Sequence, residues 1–151
     1  MLSLIDITEH NLHTVCKLKV AKDQTSYVSS PTVILARAYA MRNRSARALA
    51  IAYHETIIGI ALLMELCEEP ACYTIEQFLI DEQYQNKGFG KQALKLIIDL
   101  LAEQRKYDTI EVCVKMEAAS AIKVYKNAGF VDTGYIDPGV PDSYCLRYSF
   151  N

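Results

Sequence analysis

The chain has no apolar stretch long enough to cross a bilayer. Its longest, Ile57 to Met64 (IIGIALLM), has eight residues, against the roughly 20 that a spanning helix needs. The opening MLSLIDITEH holds two acids and no apolar block, so it is not expected to act as a secretory signal. Among the five cysteines (Cys16, Cys67, Cys72, Cys113 and Cys145) there is no CxxC pair, and no histidine pair at ligand spacing accompanies Cys67 and Cys72. No metal site is therefore expected, and an odd, unpaired set suits reduced thiols in a soluble cytoplasmic protein. Neither charge is in excess: 16 Lys and Arg against 18 Asp and Glu leave −2. That balance gives no electrostatic footprint for nucleic acid, and no nucleic-acid or membrane partner is expected. One local basic group, Arg37, Arg42, Arg44 and Arg47, reads as a solvated helix end and loop, with nucleic-acid contact as the minor alternative. There is no internal repeat, linker or low-complexity segment.

What remains is ordinary globular material, 51% apolar and 23% charged, read as a single domain over residues 1–151. Alternation in LSLIDI predicts a first strand, and Leu12, Val15 and Cys16 begin an amphipathic helix to about Val20. Ser30 and Pro31 open a second helix to about Met41, as N-cap and first helical residue. RALAIAY and TIIGIALLM read as a hairpin around HET, followed by the strand CYTIEQFLI. Leu94, Ile97, Ile98 and Leu101 mark a helix over about 90–105. TIEVCV is the next strand, with Cys113 expected in the core. A last helix over 118–128 stops at Gly129. GFVDTGYI and SYCLRYSF are expected to pair as a closing hairpin. The fold class is mixed α/β, not a repeating βαβ array.

Between the strand ending at Ile80 and the helix, QNKGFGKQA supplies two glycines. A P-loop alignment on Gly90-Lys91 needs glycine at 85 and a hydroxyl at 92, where the chain has Gln85 and Gln92. A dinucleotide fingerprint, Gly88-x-Gly90-x-x-Ala93, fails because seven residues separate Ile80 from Gly88 and the acid at the right distance, Asp108, precedes its strand. A different pyrophosphate seat remains, Gln85-x-x-Gly88-x-Gly90 at a helix N-terminus, with Lys87 and Lys91 at the rim. A turn merely shaped by its glycines is the alternative.

FLIDEQYQNKGFGKQALKLI, then a strand, then AIKVYKNAGF together resemble the GNAT superfamily of N-acetyltransferases. The likeness covers residues 72–131 closely and the rest in outline. The early segment KVAKDQTSYVSS, with its Q-x-x-Y-V, adds a likeness to bacterial spermine/spermidine acetyltransferases. The resemblance implies a GNAT fold, a central mixed sheet of six to seven strands flanked by about four helices, and acetyl-CoA as coenzyme. It implies that Gln85, Asn86, Lys87, Gly88, Phe89, Gly90 and Lys91 seat the pyrophosphate, and that the backbone of Phe78, Leu79 and Ile80 meets the pantetheine. Tyr125, in Y-x-x-x-G-F, falls near the thioester sulfur. Relatives often carry an asparagine after the fifth strand. Here MEAASA stands in its place, with Ser120 as the available substitute.

Acetyl transfer needs a neutral amine and a proton for the departing thiolate. The resemblance places an acid on the fourth strand at Glu76, the candidate base, which strict alternation would put on one face with Thr74, Phe78 and Ile80. The alternative is a strand carboxylate facing solvent or paired with a base. Tyr125 is the candidate acid, with a buried structural tyrosine as its alternative. For a polyamine acceptor, Glu65, Glu68 and Glu69 of MELCEEP, together with Tyr27, are the substrate candidates, and the loop is otherwise a solvated acidic one. Asp132, Asp137 and Asp142 form a second, weaker set. Another amine acceptor (an aminoglycoside, a protein N-terminus or a lysine) or a non-catalytic acetyl-CoA sensor remains open, and relatives make a homodimer possible.

Overall fold

The computed structural model describes every residue, Met1–Asn151. The strands are β1 (Leu2–Asp6), β2 (Arg47–Tyr53), β3 (Thr56–Leu66), β4 (Cys72–Ile80), β5 (Thr109–Lys115), β6 (Val131–Asp132) and β7 (Ser143–Ser149). The helices are α1 (Leu12–Cys16), α2 (Pro31–Ala40), α3 (Phe89–Gln104) and α4 (Ala119–Ala128). One seven-stranded sheet runs in the order β1-β2-β3-β4-β5-β7-β6. Every pairing is antiparallel except that of β4 with β5. No helix is long and apolar enough to cross a membrane.

Helices cover both faces, which explains the unbroken apolar run of β3: a strand buried on two sides needs no polar alternation. Its Ile60, Leu62 and Met64 meet Val15, Leu18 and Ile34 from the α1–α2 side. Ala61 and Leu63 meet Leu94, Ile97, Ile98 and Leu101 of α3 on the other. Ser30 caps α2 as its sequence predicts, accepting from the Val33 N–H, and Gly129 ends α4 in the left-handed region.

Four expectations need correction. Glu76 does not share a face with Phe78 and Ile80. Leu62 stands opposite Gln77 but Leu63 opposite Ile75, so Glu76 is the extra residue of a β-bulge. Tyr73 and Ile75 before it, and Phe78 and Ile80 after it, all lie on the α3 side. Both bulge side chains turn the other way, Glu76 to Arg37 of α2 and Gln77 to the Ser29 N–H. Cys113 is exposed, not core. Ile110, Val112 and Val114 of β5 take the helix-covered face, and on the opposite one α1 and α2 lie mainly over β2 and β3, with Arg37 reaching Glu76 of β4. The closing hairpin is short because Asp132 Oδ1 accepts from the Gly134 N–H, and a left-handed Gly134 (φ 75°) turns the chain away from β7. Finally, α1 ends at Cys16, since Lys19 bonds instead to the end of β4: its N–H donates to Asp81 and its carbonyl accepts from Glu82.

Candidate active site

The parallel pair β4–β5 is joined at only two positions, Tyr73 with Ile110 and Thr74 with Glu111. Two residues further on comes the bulge at Glu76, and bulges bend the strand that carries them. From Ile75 onward β4 is paired with β3 alone. The edge of β4 that faces β5 thus presents free N–H and C=O groups, a template for an extended ligand carrying amides of its own.

At the open end of this splay lies the glycine turn. Asp81 caps a short 3-10 turn, Glu82–Tyr84, by accepting from the Gln83 N–H. Asn86 (φ 61°) and Gly88 (φ 83°) are then left-handed, and α3 starts at Phe89. The backbone N–H groups of residues 86 to 91 donate to nothing within the chain. Consecutive free donors in a left-handed turn, backed by the positive end of a long helix, form an anion cradle. A β-carbon placed on Gly90 would meet no protein atom within 4 Å, so the chain leaves the space beside Gly90 open. Lys87 and Lys91 are exposed at its rim and neither forms a salt bridge. This donor set fits a diphosphate. The side chain of Gln85 is turned inward: its amide donates to Ile80 O and to Gln24 Oε1, both at 2.8 Å. Ser120 is exposed in the first turn of α4, across the cleft.

Tyr125 projects from α4 into the core beneath the splay. Its ring packs edge-on against Phe78 (6.4 Å between centroids) and Phe130 (5.2 Å). The residue is only 6% exposed, yet its hydroxyl has no hydrogen-bond partner. No fully buried side-chain oxygen in the protein lacks a partner, so this hydroxyl is the part of Tyr125 that reaches open space. Burial pushes its phenol well above the ordinary value, keeping it a protonated donor.

Glu76, on the opposite face of β4, accepts from Arg37 Nη2 at 3.3 Å, with both side chains about one-third exposed. Sequence reasoning counted Arg37 among surface bases; no local signal links two residues 39 apart. The rest of that basic group disperses. Arg42 stacks on Tyr39 and Arg47 pairs with Asp6.

The acidic loop lies at the other end of β4 from the glycine turn, because it precedes Cys72 and the turn follows Ile80. Glu65, expected in that loop, instead lies in β3 opposite Tyr73 and is already engaged. Burial opposes its charge, but Lys106, Tyr107 and Ser45 outweigh that and hold the carboxyl below its ordinary range. Glu68 and Glu69 are exposed and unpaired. Tyr27 lies over the splay, its hydroxyl donating to Glu117 O at 3.5 Å, just before α4.

A parallel strand pair that parts beside a helix-backed anion cradle makes a site for an extended ligand with an anionic end, in a mixed α/β fold. The model of the acetyltransferase (GNAT) family matches residues 10–130, and the chain belongs to that family. It is accordingly an N-acetyltransferase with acetyl-CoA as its coenzyme. It is 31% identical to a spermine/spermidine N(1)-acetyltransferase of Bacillus subtilis (strain 168) over 136 residues, 87% of this chain and 88% of that protein. Its fold matches the aminoglycoside acetyltransferase AAC(6')-Ib in complex with coenzyme A and kanamycin, with a TM-score of 0.81, 18% identity and coverage of 99% and 95%. It also matches the spermidine N-acetyltransferase of Vibrio cholerae in complex with CoA and spermine, with a TM-score of 0.70, 19% identity and coverage of 97% and 92%.

Proposed function

We propose that the protein acetylates a polyamine of the spermidine or spermine kind, by direct attack of a primary amine on acetyl-CoA held in the β4–β5 splay. The observation that carries the coenzyme's placement is the run of free N–H groups from Asn86 to Lys91 around an open space at Gly90. The pyrophosphate sits there, and the two amides of the pantetheine pair with the free edge of β4 at Phe78, Leu79 and Ile80. The likeness to a spermine/spermidine acetyltransferase over most of the chain supports the acceptor class.

An alkyl ammonium with a pKa of ~10.4 is neutral in only about one molecule in 10³ at pH 7. Glu76 takes the proton, directly or through a water, once the incoming cation displaces Arg37. The amine nitrogen forms its bond to the thioester carbonyl carbon, the carbon–sulfur bond breaks, and the nitrogen's second proton passes to solvent as the amide forms. Tyr125 donates its hydroxyl proton to the departing thiolate and recovers one from solvent. No covalent enzyme intermediate is needed, because an oriented amine attacks a thioester readily. Tyr27 walls the acceptor side. Glu68 and Glu69 lie on the order of 13 Å or more along β4 from Glu76, at about 3.3 Å per residue, a span that an extended tetraamine bridges. They receive its distal ammonium groups, and Glu65 supports the loop.

The test incubates the protein and acetyl-CoA with spermidine, spermine, kanamycin, lysine and a peptide, and reads products by mass spectrometry. Acetylated spermidine or spermine is expected. Product from another amine alone refutes the polyamine assignment.

A further inference from the structure

Gln24 and Tyr27, the named residues of the Q-x-x-Y-V segment, stand at the two walls of the coenzyme cleft. Gln24 Oε1 accepts from Gln85 Nε2 at 2.8 Å, across 61 residues of sequence, at the first position of the glycine turn. Three residues later, Tyr27 donates to Glu117 O, 90 residues away, at the entrance to α4. The two are locked to each other, since the Tyr27 N–H donates to Gln24 O at 2.9 Å. Either side of them, the same segment bonds to β4: Lys19 to Asp81 and Glu82, and Ser29 to Gln77 of the bulge. Yet no residue from Lys19 to Ser30 is buried. Val20, Tyr27 and Val28 pack against the core from partly buried positions. Polar bonds therefore carry a large share of what holds this segment, and segments with few buried apolar contacts have low local stability.

We infer that residues 19–30 are a strap that couples occupancy of the glycine turn to assembly of the acceptor wall, with Gln24 and Tyr27 as its positioning residues. This rests on the pyrophosphate seat proposed above. An anion bound by the N–H groups of residues 86–91 fixes the turn and with it Gln85. Both amide protons of Gln85 are committed, one to the turn's own strand at Ile80 and one to Gln24, so its position passes to the strap. Gln24 then fixes Tyr27 over the splay, and Ser29 beside the bulge that carries Glu76. Linkage requires the reverse as well: an acceptor that orders the strap tightens the coenzyme.

The experiment is backbone hydrogen exchange of the whole protein with and without CoA, in the wild type, in Gln24→Leu and in Gln24→Glu, which keeps an accepting oxygen. In the wild type CoA is expected to slow exchange in residues 85–91 and in the strap together. In Gln24→Leu the turn is still protected and the strap is not, whereas Gln24→Glu restores strap protection. Steady-state kinetics of Gln24→Leu with spermidine should show the amine KM rising about three- to tenfold, the worth of one neutral hydrogen bond, with less change in the KM for acetyl-CoA. Strap protection that persists in Gln24→Leu, or a wild-type strap that ignores CoA while the turn responds, overturns the coupling alone. A turn that CoA leaves unprotected overturns the seat as well. Should Gln24→Leu not fold, Tyr27→Phe offers the second arm. It is expected to uncouple the residue 116–120 loop from strap protection, and unchanged protection of that loop overturns the inference.

Discussion

Replacing Gly90 by alanine separates coenzyme binding from folding, because the two respond in opposite directions. Gly90 is the second residue of α3 and its φ is not positive, so alanine fits the backbone without strain. Within a helix alanine is favoured over glycine by up to about 1 kcal/mol. The new methyl group meets no protein atom within 4 Å, so stability is expected to hold or rise slightly. On the proposed seat the same methyl would be added among the N–H donors of residues 86–91 that hold the pyrophosphate. Losing one charge-assisted hydrogen bond there, at about 1.5–3 kcal/mol, weakens CoA about ten- to a hundredfold. Calorimetric titration with CoA and thermal denaturation of the same preparation read the two quantities. Gly88→Ala is the contrast: at φ 83° a β-carbon costs about 1–2 kcal/mol, so folding and binding fall together. A Gly90→Ala protein that melts like the wild type and also binds CoA like it would refute the seat, leaving the glycines as turn-formers only.

Three other outcomes follow from the geometry. Tyr125→Phe removes a hydroxyl with no partner in the chain, so unfolding free energy should move by less than about 0.5 kcal/mol, while kcat falls on the order of 10²-fold; an active variant removes Tyr125 from the acid role. Glu76→Gln should also lower kcat about 10²-fold at unchanged CoA affinity, most strongly on the acidic side of the pH–rate profile, where the amine holds its proton hardest; a profile of unaltered shape excludes it as base. For Glu65, partners from Lys106, Tyr107 and Ser45 depress the folded pKa despite burial, so its contribution to stability is present above the ordinary value of 4.5 and lost as pH falls through the lower folded value. The melting temperature of Glu65→Gln should therefore lie below that of the wild type at neutral pH, with the gap closing in acid; a gap that is constant with pH contradicts the ion-pair account.

Where sequence reading succeeded, the signal was local. CYTIEQFLI runs as a strand over Cys72–Ile80 as read, bounded by Pro70 on one side and the polar turn on the other. Ser30 before Pro31, and Gly129 after α4, are caps whose chemistry depends on a few neighbouring backbone groups. The 3.6-residue spacing in α3 likewise needs no knowledge of its partner. The features missed are set by distant contacts. The slip between β3 and β4 that creates the bulge depends on how two strands align, and alternation within one strand carries no trace of it. Cys113 follows the alternation of β5 correctly, but which face the helices leave bare is a property of the whole sheet. The turn of Gln85 toward Gln24 belongs to the same class.

The bulge at Glu76 also accounts for the arrangement of the two candidate groups. With unbroken alternation, Gln77 would enter the α3 core and Phe78 would leave it. A buried amide without a partner costs about 1–3 kcal/mol, and Tyr125 would lose the ring it packs against. One extra residue reverses both: Gln77 reaches the Ser29 N–H, and Phe78 comes under Tyr125. It leaves Glu76 and Tyr125 on opposite faces of a strand whose edge toward β5 is free. Acetyl transfer calls for that separation. The amine gives up a proton as it approaches one side of the thioester carbon, and the thiolate needs one as it leaves the other. In the proposed mechanism the carboxylate on the α2 side and the phenol on the α4 side, kept protonated by burial, would serve the two demands from opposite faces.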